Sequence, residues 1–276
     1  MIPELVAVWG AIVGYVVASV LFVVGAFLGK PRMLSAAVVA SWMGLASQAL
    51  AIGLRWVRVG HGPYLGFYEV ASLLAFLSVL GFLLLQRAYP GLRVGGVVAL
   101  PLAFLILGAT LLVNNEARAV TGSLASFWLA IHVVFANLAY GFYVAAFVLA
   151  VAYLMRDSKH SDRYGDVLAK FPEQAELDGL MYRIVGAGFV FQGIMIASGA
   201  IWANEAWGSY WSWDPIETWS LLAWAVYAIY LHLTLTMGWR GRKAAWVVVI
   251  ALPVILFSLL GVPIFYDSVH GAYLSV

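Results

Sequence analysis

The stretch Glu4–Leu28, ELVAVWGAIVGYVVASVLFVVGAFL, carries one charged residue and stops just short of Lys30 and Arg32. At about 1.5 Å of rise per residue, a helix of this length crosses a hydrocarbon layer of about 30 Å. No basic segment precedes it and two basic residues follow it, so it reads as a retained membrane helix and not as a cleaved signal. The same signature predicts seven more spans, at 33–54, 69–86, 94–113, 124–155, 183–203, 217–237 and 244–262. Composition agrees: 64% of the 276 residues are hydrophobic and 10% are charged, where a soluble domain carries about a quarter charged residues. The expected fold is all-α, a polytopic membrane bundle of about eight transmembrane helices with an outward Trp-rich loop. It forms one membrane domain over 1–276, with the lipid bilayer as its solvent and no nucleic-acid partner expected. No internal repeat stands out. The chain has no cysteine, which excludes disulfides, thiolate metal ligands and thiol redox chemistry.

Basic residues in short loops favour the cytoplasmic side. Twelve of the fifteen lie in alternate connections: Lys30 and Arg32, Arg87 and Arg93, the polar loop 156–182 with Arg183 beside it, and Arg240 to Lys243. Only Arg55, Arg58 and Arg118 fall on the other side. The split places both termini, the loop holding Arg55, Arg58 and His61, and the Trp-rich segment 202–218 on the outer side, with 156–182 cytoplasmic.

The segment WANEAWGSYWSWDPIETWSLLAW, Trp202–Trp224, holds six of the twelve tryptophans. An aromatic belt explains some of them, but not a polar outward loop packed with indoles. Flat indoles above a polar rim make a shelf for a large planar apolar ligand. Asp214 and Pro215 predict an N-cap and a first helical residue for the seventh span. Of five histidines, His132, His270 and His61 fall on the outer side. His232 lies near the inner end of the seventh span and reads as structural, and His160 lies in the inner polar loop. A single histidine in a span is equally a hydrogen-bonded core residue or a ligand. His132 and His270 together, with the Trp shelf between them in sequence, point to a bis-histidine heme site. Arg55 and Arg58 suit heme propionates or simple snorkelling at the interface. Glu69 and Glu217 suit the positive ends of helices.

Trp207-Gly208-Ser209-Tyr210-Trp211-Ser212-Trp213-Asp214 resembles the WGxxWxWD signature of the heme-handling proteins, which include CcsA, CcmC and CcmF. The continuation PIETWSLLAWAVYAIYLHL resembles CcsA, and CcmC has a different run there. Gly60–Glu69, GHGPYLGFYE, resembles a CcsA element that has asparagine where Gly66 stands. The resemblance covers essentially the whole chain. It implies a cytochrome c biogenesis role with the CcsB (ResB-like) membrane subunit. Heme b would be carried to the outer face and positioned for thioether attachment to the CxxCH of apocytochrome c. The activity implied is that of a holocytochrome c synthase of the heme lyase type, with CcmC-like delivery of heme without attachment as the alternative. It further implies that His132 and His270 ligate iron at the outer site, that His61 ligates it at a second site within the membrane, and that Trp207, Gly208, Trp211, Trp213 and Asp214 form the porphyrin-binding motif. The implied location is the bacterial cytoplasmic membrane, or a thylakoid membrane.

Overall fold

The computed structural model describes residues 2–112, 120, 122–157 and 171–270. Among the described residues no strand occurs, and eight helices are long and apolar enough to cross a membrane. Their α-helical parts are α1 (Ile2–Phe27), α2 (Pro31–Val59), α3 (Phe67–Ala88), α4 (Gly96–Ala109), α5 (Phe127–Arg156), α6 (Gln174–Trp207), α7 (Pro215–Thr236) and α8 (Arg242–Leu256); 3-10 turns extend the fourth span to Pro90–Leu112, and the eighth runs on to Leu259. A π-helical turn, Phe257–Gly261, four residues beyond Pro253, leads into the short α9 (Val262–Phe265). Successive helices alternate in direction, so the starts of α1, α3, α5 and α7 meet the ends of α2 and α6. Arg118 and His160 lie outside the described residues.

Three expected boundaries move. Arg55 and Arg58 stand on α2 and not in a loop, because carboxylates on α1 and α3 neutralise them within the bundle. The sixth helix begins at Gln174, inside the segment read as polar loop. Leu177 and Met181, one turn apart, are fully buried there, and the Asp178 carboxylate accepts a bond from the Gly241 N–H at 3.0 Å. Such an amphipathic extension is polar in composition yet helical in pattern. Finally, Trp202–Trp207 belongs to α6, so the non-helical part of the Trp-rich segment is only 208–214.

The eight helices also fall into two similar sets of four, α1–α4 and α5–α8, which corrects the expectation of no repeat. Tyr15 on α1 donates to the Gln48 side chain on α2, and Gln48 Nε2 donates to the Ser72 carbonyl on α3 at 2.9 Å. Tyr143 on α5 donates to Gln192 on α6 at 2.8 Å, and Gln192 Nε2 donates to the Ser220 carbonyl on α7 at 3.0 Å. Gly44 and Gly188, each one turn before the glutamine, lie under the Tyr15 and Tyr143 rings; a Cβ at either would come within 2.8 Å of its ring. Small residues permit this approach of helices in lipid. The third helices carry Glu-Val-Ala-Ser-Leu-Leu-Ala at 69–75 and Glu-Thr-Trp-Ser-Leu-Leu-Ala at 217–223. The fourth helices carry Ala-Leu-Pro at 99–101 and at 251–253, with Pro101 and Pro253 inside each helix.

Candidate functional site

Ser126 caps α5 by accepting the Trp128 N–H at 3.1 Å, and its hydroxyl donates to Glu205 at 2.6 Å, which ties the start of α5 to the end of α6. Six residues beyond this cap, His132 faces α6 and donates its Nδ1 proton to the Met195 carbonyl at 2.8 Å. A carbonyl can only accept, so the proton sits on Nδ1 and the Nε2 lone pair is left for another partner. Trp202, only 2% exposed, packs near-parallel to His132 at 6.5 Å between centroids and donates its indole N–H to the Ser123 carbonyl at 2.9 Å.

The second histidine is held by the start of α7. Asp214 caps that helix by accepting the Ile216 N–H at 3.0 Å, and Glu217 closes the reciprocal half by accepting the Asp214 N–H at 3.2 Å. Glu217 also accepts from the Ser212 N–H at 2.8 Å, so it orders the loop and does more than complement the helix dipole. The same Asp214 carboxylate receives the Ser268 hydroxyl at 2.8 and 2.9 Å, the Val269 N–H at 2.8 Å and His270 Nδ1 at 3.0 Å. Burial pushes this carboxyl upward, but the bonds from His270, Ser268 and the Val269 N–H outweigh it and hold it down to about 2. His270, too, is left with Nε2 unused. Its ring lies 5.9 Å from Trp202 and 5.4 Å from Trp207, and the two indoles meet edge to face at 5.2 Å.

His132 and His270 face a common cavity of about 100 Å³, lined also by Tyr64, Leu65 and Gly66 from the first set of helices. An adjoining small cavity also touches both histidines and is lined by Gly199, Trp211 and Glu217. The structure therefore brings together His132, His270, Trp207, Trp211 and Asp214 as a site. Trp213 stands apart: it is 69% exposed, has φ +60° and contacts Trp211 edge on at 5.8 Å. Gly208 acts through its backbone, ending α6 with φ +78° while its N–H reaches the Asn204 carbonyl. His232 is exposed on α7 and lines none of these clefts.

His61 occupies a different, narrow cleft between α2 and α3. It is 5% exposed, and it donates Nδ1–H to the Gly62 carbonyl at 2.8 Å with Glu69 3.7 Å away. Its Nε2 is buried and has no hydrogen-bond partner among the described residues. Arg55 and Arg58 stand near this cleft and not at the Trp-rich site. Arg55 bonds Glu69 at 2.8 Å and Glu4 at 3.3 Å and lies over the Tyr68 ring; Arg58 bonds Glu4 at 2.8 Å. Two arginines thus balance two glutamates, so both guanidinium groups already have carboxylate partners within the chain. Gly66, at φ +91° and ψ 159°, precedes α3 in a backbone conformation open essentially to glycine alone.

The sequence reading missed Trp202 as a site residue, the Met195 carbonyl, Ser268 and the Glu4 pairing. Trp202 had a signal, its place in the tryptophan cluster. The others come from residues far apart in the chain.

The family described as Cytochrome C assembly protein matches residues 64–270. A Cytochrome c biogenesis protein CcsA of Chlamydomonas reinhardtii is 37% identical over 242 residues, covering 83% of this chain and 66% of the algal protein. A CcsA of a Synechococcus strain is 35% identical over 244 residues, covering 79% of this chain and 80% of its own length. A solved structure, Cytochrome c Heme Lyase CcmF, matches with a TM-score of 0.71 at 17% identity, over 98% of this chain and 48% of that one; this likeness concerns the fold. This chain thus spans just under two thirds of the algal relative and about half of the heme lyase. The chain is an integral membrane protein that belongs to the cytochrome c assembly protein family and, within it, to the CcsA proteins of cytochrome c biogenesis.

Proposed function

We propose that this chain receives heme b as its substrate, holds it at the outer membrane face between His132 and His270, and presents it for attachment to apocytochrome c. The observation that carries the reading is shared by three histidines. His132, His270 and His61 each commit the Nδ1 proton to a carbonyl or carboxylate, at 2.8, 3.0 and 2.8 Å, and each keeps Nε2 as a lone-pair donor. This is the arrangement in which an imidazole serves as an oriented ligand to a metal. The buried, unpartnered Nε2 of His61 supports a second position for heme on its way to the outer site.

Trp202 and Trp211 give the cavity walls a large apolar surface suited to a porphyrin, and Trp207 adds to it from behind His270 and Trp202. With the iron held from two sides, the vinyl groups are kept in place for two thiols of a CxxCH segment. Each S–H adds across a vinyl double bond to give a thioether, and fixed orientation supplies much of the rate. This chain contributes no thiol, so the reacting sulfurs belong to the apocytochrome. We read the CcsB subunit as the partner that completes the second heme position. We place both termini and residues 208–214 on the outer side of a bacterial cytoplasmic membrane, or of a thylakoid membrane on its lumen side. Support comes from Lys30, Arg93, Arg156, Arg240 and Arg242, which gather at the opposite end of the helices. We treat the whole chain as one functional unit because residues of both helix sets line the His132 cavity.

The test is the absorption spectrum of the protein purified with its partner, as wild type and as His132→Gly and His270→Gly. A bis-histidine heme spectrum that each substitution removes, and that added imidazole restores, is the expected result. A wild-type preparation that neither contains heme nor takes it up would overturn the reading.

A further inference from the structure

The two helix sets place equivalent residues in equivalent clefts. Tyr15 matches Tyr143, which fixes the register between α1 and α5; Gln48 matches Gln192, which fixes that between α2 and α6. In those registers Glu4 is the counterpart of His132, and Arg55 is the counterpart of Gly199. The clefts themselves correspond. Ile52, Glu69 and Ser72 beside His61 repeat as Ile196, Glu217 and Ser220 beside His132. At the junction of first and second helices, one set has a glutamate bonded to an arginine at 3.3 Å. The other has a histidine against a glycine.

Gly199 lies inside α6 and its φ is not positive, so the backbone does not require glycine there. The contact does. A Cβ at position 199 would stand 2.5 Å from His132 Nδ1 and 2.8 Å from its Cε1. The ring could not give way without breaking the Nδ1–H bond to the Met195 carbonyl. We infer that Gly199 is a positioning residue for His132: the absence of a side chain at 199 leaves room for the imidazole bonded to Met195, whereas Arg55 and its carboxylates fill the equivalent space in the first set.

The inference rests on the proposed ligand role of His132, and two readouts separate the two ideas. Full-length protein in detergent would be compared as wild type, Gly199→Ala and Gly193→Ala. Gly193 is on the same helix with room for a methyl group, its nearest neighbour being 3.7 Å from a built Cβ. Alanine is the better helix former at both sites, so loss of folding is not the expected outcome. The first readout is the tautomer of His132 by nitrogen NMR on histidine-labelled, heme-free protein, with the signal assigned by His132→Gln. The second is equilibrium titration with hemin.

Wild type and Gly193→Ala should show the Nδ1–H tautomer. Gly199→Ala should lose it and bind hemin at least about tenfold more weakly, the scale of losing a partner that orients a ligand. An unchanged tautomer in Gly199→Ala together with unchanged hemin affinity would overturn the inference. If wild type takes up no hemin, the proposed function fails, and the tautomer alone decides the role of Gly199.

Discussion

His270 Nδ1 lies 3.0 Å from Oδ1 of Asp214, the residue that opens α7. One carboxylate therefore both starts a membrane helix and aims an imidazole, and the two roles can be separated. Asparagine is as good an N-cap as aspartate but lacks the charge. Asp214→Asn should keep α7 and the fold while weakening hemin binding by about tenfold to a hundredfold. Titration with hemin checks this, and a loss no larger than in a surface variant would show that His270 needs no such support.

The pH dependence of this junction has a definite sign. The Asp214 carboxyl is held down to about 2, below its ordinary 3.8, so the charged form is favoured in the folded state. Its contribution is complete above the ordinary value and is lost as the pH falls from about 4 toward 2. The segment 266–270 should accordingly stay docked at mildly acid pH and become protease-sensitive only below about pH 4. Release already at pH 6 would contradict the assignment.

The ion-paired cluster near His61 is mostly buried, with Arg55 6% exposed and Glu69 2% exposed. Removing one partner leaves an uncompensated charge, at a cost of about 3–5 kcal/mol. Arg55→Leu should lower the melting temperature in detergent markedly, and adding Glu69→Gln should recover part of the loss. If the double variant is as unstable as the two single losses added together, the pair is not coupled.

The repeated Tyr–Gln–carbonyl bridges offer a matched comparison. Gln48→Leu strands the Tyr15 hydroxyl, and Gln192→Leu strands the Tyr143 hydroxyl. Each buried loss should cost about 1–3 kcal/mol. Thermal unfolding should show similar effects in the two variants, since the bridges are equivalent; a large effect in only one would mean that the likeness is one of shape without shared energetics.

Gly66→Ala forces a Cβ into a backbone conformation that alanine rarely adopts, at a cost of about 1–3 kcal/mol. The strain falls at the start of α3, within the lining of the His132 cavity, so hemin affinity should fall together with stability. Retention of both would mean that the 64–66 turn relaxes freely.

Much of this protein was legible without coordinates. Hydrophobic runs such as Glu4–Leu28 dictate spans because lipid admits few other structures, and Asp214-Pro215 announces a helix start through local chemistry. The three histidines and the tryptophan motif were also visible, since they are the rare polar and aromatic exceptions in an apolar chain. The repeat was not: its identities are sparse, and their offset grows from 128 residues at Tyr15 and Tyr143 to 152 at Pro101 and Pro253. Against uniformly apolar helices such drift hides the match.

What the sequence by itself determined was the solvent, the number of crossings and the candidate ligands, because hydropathy, helix rise and residue chemistry are local properties. Only the tertiary structure decided which ring nitrogen of His61, His132 and His270 is committed to a hydrogen bond, that Glu4 meets Arg55 across 51 residues, and that Gly199 yields its space to His132. Those facts are contacts between helices. Packing sets them, and no window of sequence contains both partners.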